Sequence, residues 1–403
     1  MADADPRNSS PTPISAGVKV ALVAAEQSAD TLGAGLIEAI RARLPDAEFF
    51  GIAGPKMIAA GCAPWYRAEE ISVMGVAEVL PHLPRLLKLR GTLLDRIKAS
   101  GAHVFVGIDA PDFNLPAARA LKRAGIPTVQ YVSPQVWAWR QSRAAKMRSA
   151  VDLVLCVLPF ETDFYASYGV AAQFIGHPLA DAIPFTVDAR AARAKLGLDP
   201  NTPVLAVLPG SRRSEVARLA VPFMATAGWL QRERPHLNVA VALASEPIAE
   251  LFRAVTADVQ LERAPRLSVA QARDVLAAAD VVLTASGTAS LETLLLKRPM
   301  VVAHRMAPLT YWLVRRLGVA KLPHFSLPNL LAGRRVVPEY VQEAVRPDVL
   351  GPALLAILDG NPIDSGWYDV FAGIHRQLRR DASSQAAQAV LDLVRGTISA
   401  SHR

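Results

Sequence analysis

The stretch Val204-Leu205-Ala206-Val207-Leu208-Pro209-Gly210-Ser211-Arg212-Arg213-Ser214-Glu215 decides the fold. Five consecutive apolar residues read as a strand buried on both faces, Pro209-Gly210 as a turn, and the residues beyond as the start of a helix. In that order the pieces form the first half of a βαβ unit, whose loop lies at the carboxyl edge of a parallel sheet. Gly210 lets the backbone approach a ligand, helix N–H groups face it, and Arg212 can fork two hydrogen bonds onto phosphate oxygens, with Ser211 beside it. The competing reading is a Pro-Gly turn with two solvated arginines.

Working outward, the same pattern recurs along the chain. Short apolar runs predict strands at 19–24, 104–108, 128–132, 153–157, 204–208, 238–243, 281–284 and 300–303. Helical periodicity follows most of them, as in Leu32, Leu36, Ile37, Ile40 and Leu44 after the first. A polar break at 178–203 separates two such series, and Gly360, Asn361, Pro362 and Gly366 close the second. The expected class is therefore α/β, in two parallel-sheet halves. The expected division is a disordered tail at 1–16, a first domain at 17–185, a second at 186–365 and C-terminal helices at 366–403.

Composition narrows the function. With 51% hydrophobic and 20% charged residues the chain is neither a disordered tail, a collagen nor a coiled coil. Its 44 Lys+Arg against 36 Asp+Glu give a net charge of +8, which favours anionic partners. The basic residues are scattered among acidic ones over the whole chain, which argues against a nucleic-acid stripe. Cys62 and Cys156 match no disulfide, zinc or CxxC spacing, and without HExxH or a His/Asp cluster no catalytic metal and no cofactor are expected. The N-terminal residues hold no apolar run of the signal-peptide kind, and no stretch of about 18 apolar residues predicts a membrane span.

Four further loops carry candidate chemistry. In Thr284-Ala285-Ser286-Gly287-Thr288-Ala289-Ser290-Leu291-Glu292 small residues leave room for a ligand at a helix N-terminus. Glu292 there could bind ribose hydroxyls, or simply oppose the helix dipole. Asp109, at the end of a strand beside Pro111, suits a general base, its rival role being a helix N-cap shared with Asp112 or Asn114. Glu26 and Ser28 close the first strand. Trp137 and Trp139 are either core or the wall of a sugar or acyl pocket. His177, in Gly176-His177-Pro178, reads as structural. Two apolar and basic stretches, 74–90 with Leu83, Leu86 and Leu87, and 306–321 with Trp312, fit an anionic lipid surface or, equally, a buried helix with a basic edge.

The segments GIAGPKM from Gly51, VMGVAEVLP from Val73, GIDAPDFN from Gly107, YVSPQVWAWR from Tyr131, FIGHPLAD from Phe174, LPGSR from Leu208, ASGTASLE from Ala285 and SLPNLLAG from Ser326 resemble the lipid-A-disaccharide synthases, in order, over residues 18–394. That resemblance implies a GT-B fold: two Rossmann-like domains facing a cleft, with C-terminal helices packing back on the first. It implies transfer from UDP-2,3-diacylglucosamine to 2,3-diacylglucosamine 1-phosphate, without metal, by a peripheral enzyme at the cytoplasmic face of the Gram-negative inner membrane. Oligomeric state stays open, a homodimer included. By the matching motifs Asp109 is the catalytic base, Arg212 holds the diphosphate, Glu292 holds ribose, and Gly210, Ser211, Ser286, Gly287, Thr288, Ala289 and Asn329 complete the UDP-sugar site, with Glu26, Ser28 and Trp137 on the acceptor side. One departure stands out: the first loop reads AEQSAD, with Ala25 and Ala29 where the family has glycine. If those positions need positive φ or close substrate approach, the alanines should shift the loop.

Overall fold

The computed structural model describes residues 17–71, 76–134, 144–307, 311 and 324–401. Residues 1–16, Trp137, Trp139 and Trp312 lie outside them, as does the side chain of Leu83. The chain divides into two compact units, Met1–Pro178 with Asp381–Arg403, and Leu179–Arg380.

The first unit is built on a seven-stranded sheet in the order β3-β2-β1-β4-β5-β6-β7. Its strands are β1 (Lys19–Ala24), β2 (Glu48–Ala53), β3 (Ala63–Arg67), β4 (Val104–Ile108), β5 (Thr128–Tyr131), β6 (Leu153–Cys156) and β7 (Ala172–Phe174). The second unit holds six strands in the order β10-β9-β8-β11-β12-β13. These are β8 (Val204–Leu208), β9 (Asn238–Leu243), β10 (Arg266–Val269), β11 (Val281–Ala285), β12 (Met300–His304) and β13 (Glu339–Val341). Every pairing is parallel, with Val20 opposite Val104 and Val281 opposite Leu205. The α/β expectation holds.

The central strands β4, β8 and β11 are buried at every residue, as expected where helices cover both faces. Helix Gln27–Arg41 buries Leu36, Ile37 and Ile40 completely within the first unit. Helix Arg213–Glu233 supplies Leu219, Phe223 and Leu230 to the second.

Of the two C-terminal helices, Trp367–Leu378 lies in the second unit and Ala382–Ser401 in the first. The latter packs on helix Gln27–Arg41, where Arg43 also donates to the Ser384 hydroxyl at 2.6 Å. Helix Trp367–Leu378 is tied into its own unit through His375. Its Nε2 donates to the Ala180 carbonyl at 2.9 Å and its Nδ1 accepts from Lys297, which also donates to the Phe185 carbonyl at 2.6 Å. Burial and the nearby Arg376 and Arg379 push the Lys297 ammonium down to about 8.

Candidate active site

Both strand orders reverse direction once, and open α/β sheets bind ligands outside the carboxyl ends of the two strands flanking that reversal. In the first unit those strands are β1 and β4; in the second they are β8 and β11. The loops singled out in the sequence follow these four strands. Glu26 and Ser28 follow β1, Asp109 follows β4, Gly210 to Arg212 follow β8, and Ser286 to Ala289 follow β11.

Glu26 and Ser28 are exposed at the start of helix Gln27–Arg41, which has no side-chain cap. The neighbouring Ala25 and Ala29 are buried, and neither adopts positive φ. In this backbone the two alanines are therefore accommodated without left-handed strain. Asp30 is structural: its carboxylate accepts from the backbone N–H groups of Lys56 and Met57 at 2.9 and 3.0 Å, anchoring the start of helix Pro55–Ala59. Asp109 is partly exposed and has φ 52. Helix Pro111–Arg123 begins after Ala110, its N-cap residue. Neither Asp109, Asp112 nor Asn114, the residues weighed as caps, occupies that position.

The loop after β8 differs from its sequence reading. Glu215 Oε2 accepts from the N–H groups of Ser211 and Arg212 at 3.1 and 3.2 Å, so two backbone donors of the turn before the helix are held internally. Gly210 makes this closure fit, with φ +117 and only 2.5 Å between a hypothetical Cβ and Glu215 Cβ. The Arg212 side chain is exposed and forms no hydrogen bond or ion pair among the described residues.

Helix Thr288–Leu295 is the second candidate for holding an anion. It has no side-chain cap, and Gly287 and Thr288 are exposed at its N-terminus. Ser286 is anchored through its N–H to the Ala303 carbonyl at 3.1 Å and its Oγ to His304 Nδ1 at 2.8 Å. His304, overlooked in the sequence, ends β12 within the electrostatic reach of Glu215 and Arg218, and burial lowers its pKa. The signal available was a lone polar residue closing an apolar strand.

Glu292 sits in the second turn of its helix, not the first, so the helix-dipole reading weakens. Its carboxylate lies 3.6 Å from Arg273. Burial raises its pKa above the usual carboxylate range, with Arg273 opposing. Asn329 is fully buried and wholly engaged with backbone: Oδ1 accepts from Val336 and Val337 N–H at 2.7 and 2.9 Å, and Nδ2 donates to the Val337 carbonyl at 3.0 Å. It braces the approach to β13 with the groups it would otherwise offer a ligand. His177 is held neutral, burial pushing it down to about 4, in keeping with a structural role.

Elsewhere in the second unit a groove of about 350 Å³ is lined by Arg193, Thr202, Arg234 and Asp280. It lies at the amino ends of β8 and β11, opposite the loops above. Arg193 there is consumed by Asp280 at 2.7 and 2.8 Å and by two carbonyls, tying helix Ala189–Leu196 to the sheet.

Two open parallel sheets, each with small-residue or acidic loops at its switch point, place the chain among the GT-B glycosyltransferases and the epimerases that share their scaffold. A solved UDP-GlcNAc 2-epimerase from Neisseria meningitidis, bound to UDP-GlcNAc, matches with a TM-score of 0.59 at 10% identity, covering 94% of this chain and 99% of that one. The family model for lipid-A-disaccharide synthetase matches residues 20–390. The lipid-A-disaccharide synthase of Alkalilimnicola ehrlichii is 51% identical over 93% of this chain and 98% of its own. That of Xanthomonas campestris pv. campestris is 49% identical over 93% and 86%. The chain belongs to the lipid-A-disaccharide synthase family, glycosyltransferases of lipid A biosynthesis.

Proposed function

We propose that the enzyme transfers the sugar of UDP-2,3-diacylglucosamine to the 6-hydroxyl of 2,3-diacylglucosamine 1-phosphate, giving the β-1,6-linked disaccharide 1-phosphate and UDP with inversion. Asp109 accepts the hydroxyl proton as the acceptor oxygen bonds to the anomeric carbon. The bond from that carbon to the UDP oxygen breaks, and the departing diphosphate gathers its charge against Arg212 and the uncapped N-terminus of helix Thr288–Leu295. Glu292 holds the ribose hydroxyls. The observation that carries this reading is the coincidence of the family's loops with the switch point of each sheet. The test follows UDP and disaccharide together, in detergent micelles with EDTA present. Equal yields support the reading. UDP-sugar conversion without an acceptor would replace it by epimerisation, and UDP without disaccharide by hydrolysis.

The pKa of Glu292 gives this reading a pH signature. A carboxylate accepts two ribose hydrogen bonds, and protonation removes one acceptor. Because burial raises the pKa, UDP affinity should fall with acidification before an ordinary glutamate, at about 4.3, would begin to titrate. Calorimetric titration of UDP should show this fall in the wild type and a flat, weaker profile in Glu292→Gln. A Kd for UDP that ignores pH in both would remove Glu292 from the ribose site.

No helix among the described residues is long and apolar enough to cross a membrane. Peripheral attachment to the anionic cytoplasmic face of the inner membrane is the proposed location. On helix Val76–Ala99 the candidate leucines divide: Leu86 packs against the first core, whereas Leu87 is 47% exposed beside the exposed Arg85 and Lys88. Leu87→Ser should weaken binding to anionic vesicles by about fivefold, the order expected for a half-exposed leucine losing its apolar contact, at unchanged melting temperature. Undiminished binding would move the contact elsewhere.

A further inference from the structure

The carboxyl edge of the first sheet holds three non-glycine residues in the left-handed region: Asp109 at φ 52, Ala110 at φ 40 and Val132 at φ 71. Left-handed backbone is disfavoured for any residue with a Cβ and most of all for a β-branched one, so such a cluster persists only where its surroundings impose it. Two of the three are adjacent, and one of these is the proposed base.

Two buried amides impose it. Asn114 Nδ2 donates to the Asp109 carbonyl at 2.8 Å and reaches the Ile108 carbonyl at 3.3 Å. Gln130 Nε2 donates to the same Asp109 carbonyl at 3.0 Å and reaches the Val132 carbonyl at 3.3 Å. Asp109 N–H completes the clamp by donating to the Tyr131 carbonyl at 2.9 Å. Every acceptor is a carbonyl, so each amide must present its nitrogen, and the orientation of both groups follows. Room for this arrangement comes from Gly107, which pairs with Gln130 across the sheet. A Cβ there would lie 2.8 Å from Asn114 Cβ.

The arrangement has a disadvantage that packing alone does not explain. Asn114 and Gln130 are 0% and 1% exposed, and their oxygens Oδ1 and Oε1 have no hydrogen-bond partner among the described residues. Buried acceptors left unpaired are destabilising, and apolar side chains of the same size would avoid them. What the amides supply, and apolar groups could not, is a pair of donors converging on one carbonyl of a left-handed turn.

We propose that Asn114 and Gln130 are positioning residues for the transfer, holding Asp109 in its left-handed backbone so that its carboxylate meets the acceptor hydroxyl. The proposal rests on Asp109 as the base. In Gln130→Met and Asn114→Leu, near-isosteric changes that delete the donors, kcat should fall about 30-fold while UDP binding by calorimetry stays within twofold, since the UDP loops belong to the other unit. Adding Ala110→Gly to Gln130→Met should recover kcat by about fivefold. Glycine favours the left-handed state by about a factor of that order over alanine, whereas a merely damaged core would gain nothing from it. Should either apolar variant fail to fold, Gln130→Glu keeps size and polarity, places an acceptor against the carbonyl and should show the same loss. Wild-type kcat in the folded variants, with Asp109→Asn inactive, would overturn the proposal and leave the base in place. An active Asp109→Asn would remove the base and the proposal together.

Discussion

Asp109→Asn is expected to lower kcat by roughly 10³-fold, within the range that general-base catalysis supplies, and to leave melting temperature and UDP binding close to wild type. The substitution keeps the size of the side chain and its ability to hydrogen-bond but replaces the carboxylate proposed to take the acceptor proton with a non-basic amide. The backbone contacts at this position run through the carbonyl and N–H of residue 109, which asparagine retains. Asparagine also tolerates the left-handed region better than most residues, so the turn at φ 52 survives the change. The effect should therefore appear in turnover and not in folding. Single-turnover assays at saturating donor and acceptor measure it, and a loss below tenfold would transfer the role of base to another group.

Arg212→Ala is expected to lower kcat/KM by roughly 10²- to 10³-fold, the magnitude associated with one donor to a developing charge. Structural cost should be small. The side chain is exposed, and the local closure depends on the backbone N–H of Arg212 and on Glu215, neither of which alanine alters. The guanidinium matters more here than the loop's shape suggests, because Glu215 already occupies the N–H groups of Ser211 and Arg212. With those two donors engaged, the proposed diphosphate contact on this loop falls more heavily on the Arg212 side chain. Steady-state kinetics with both substrates varied, together with UDP calorimetry, separate lost binding from lost transition-state stabilisation. Arg212→Lys should recover only part of the rate, since an ammonium cannot fork onto two oxygens. Full activity in Arg212→Ala would place the diphosphate elsewhere.

The interior strands of both sheets were legible because they are buried on two faces and so read as unbroken apolar runs, β8 and β9 to the residue and β1 and β4 likewise. Five strands were not. Four of them, β3, β7, β10 and β13, are the sheet edges, three to five residues long and only partly buried. Their extended state comes from hydrogen bonds to a neighbouring strand, which no local pattern announces. The fifth, β2, is interior, but Gly51 interrupts its run.

The site divides the same way. Loop chemistry is local: a strand end, a turn residue and a helix start lie within a dozen positions, so the sequence alone placed Asp109, Arg212, Ser286 and Glu292 at carboxyl edges, and its family motifs named the enzyme class. Only the tertiary structure decided what each group was available to do. Glu215 reaches back onto its own loop, Asn329 spends its amide on residues 336 and 337, and Ala25 and Ala29 settle into ordinary backbone. Asn114 and Gln130 converge on one carbonyl from separate elements. Hydrogen bonds of this kind depend on which strands become neighbours, and strand order is fixed by the packing of whole βαβ units rather than by the residues of any one loop.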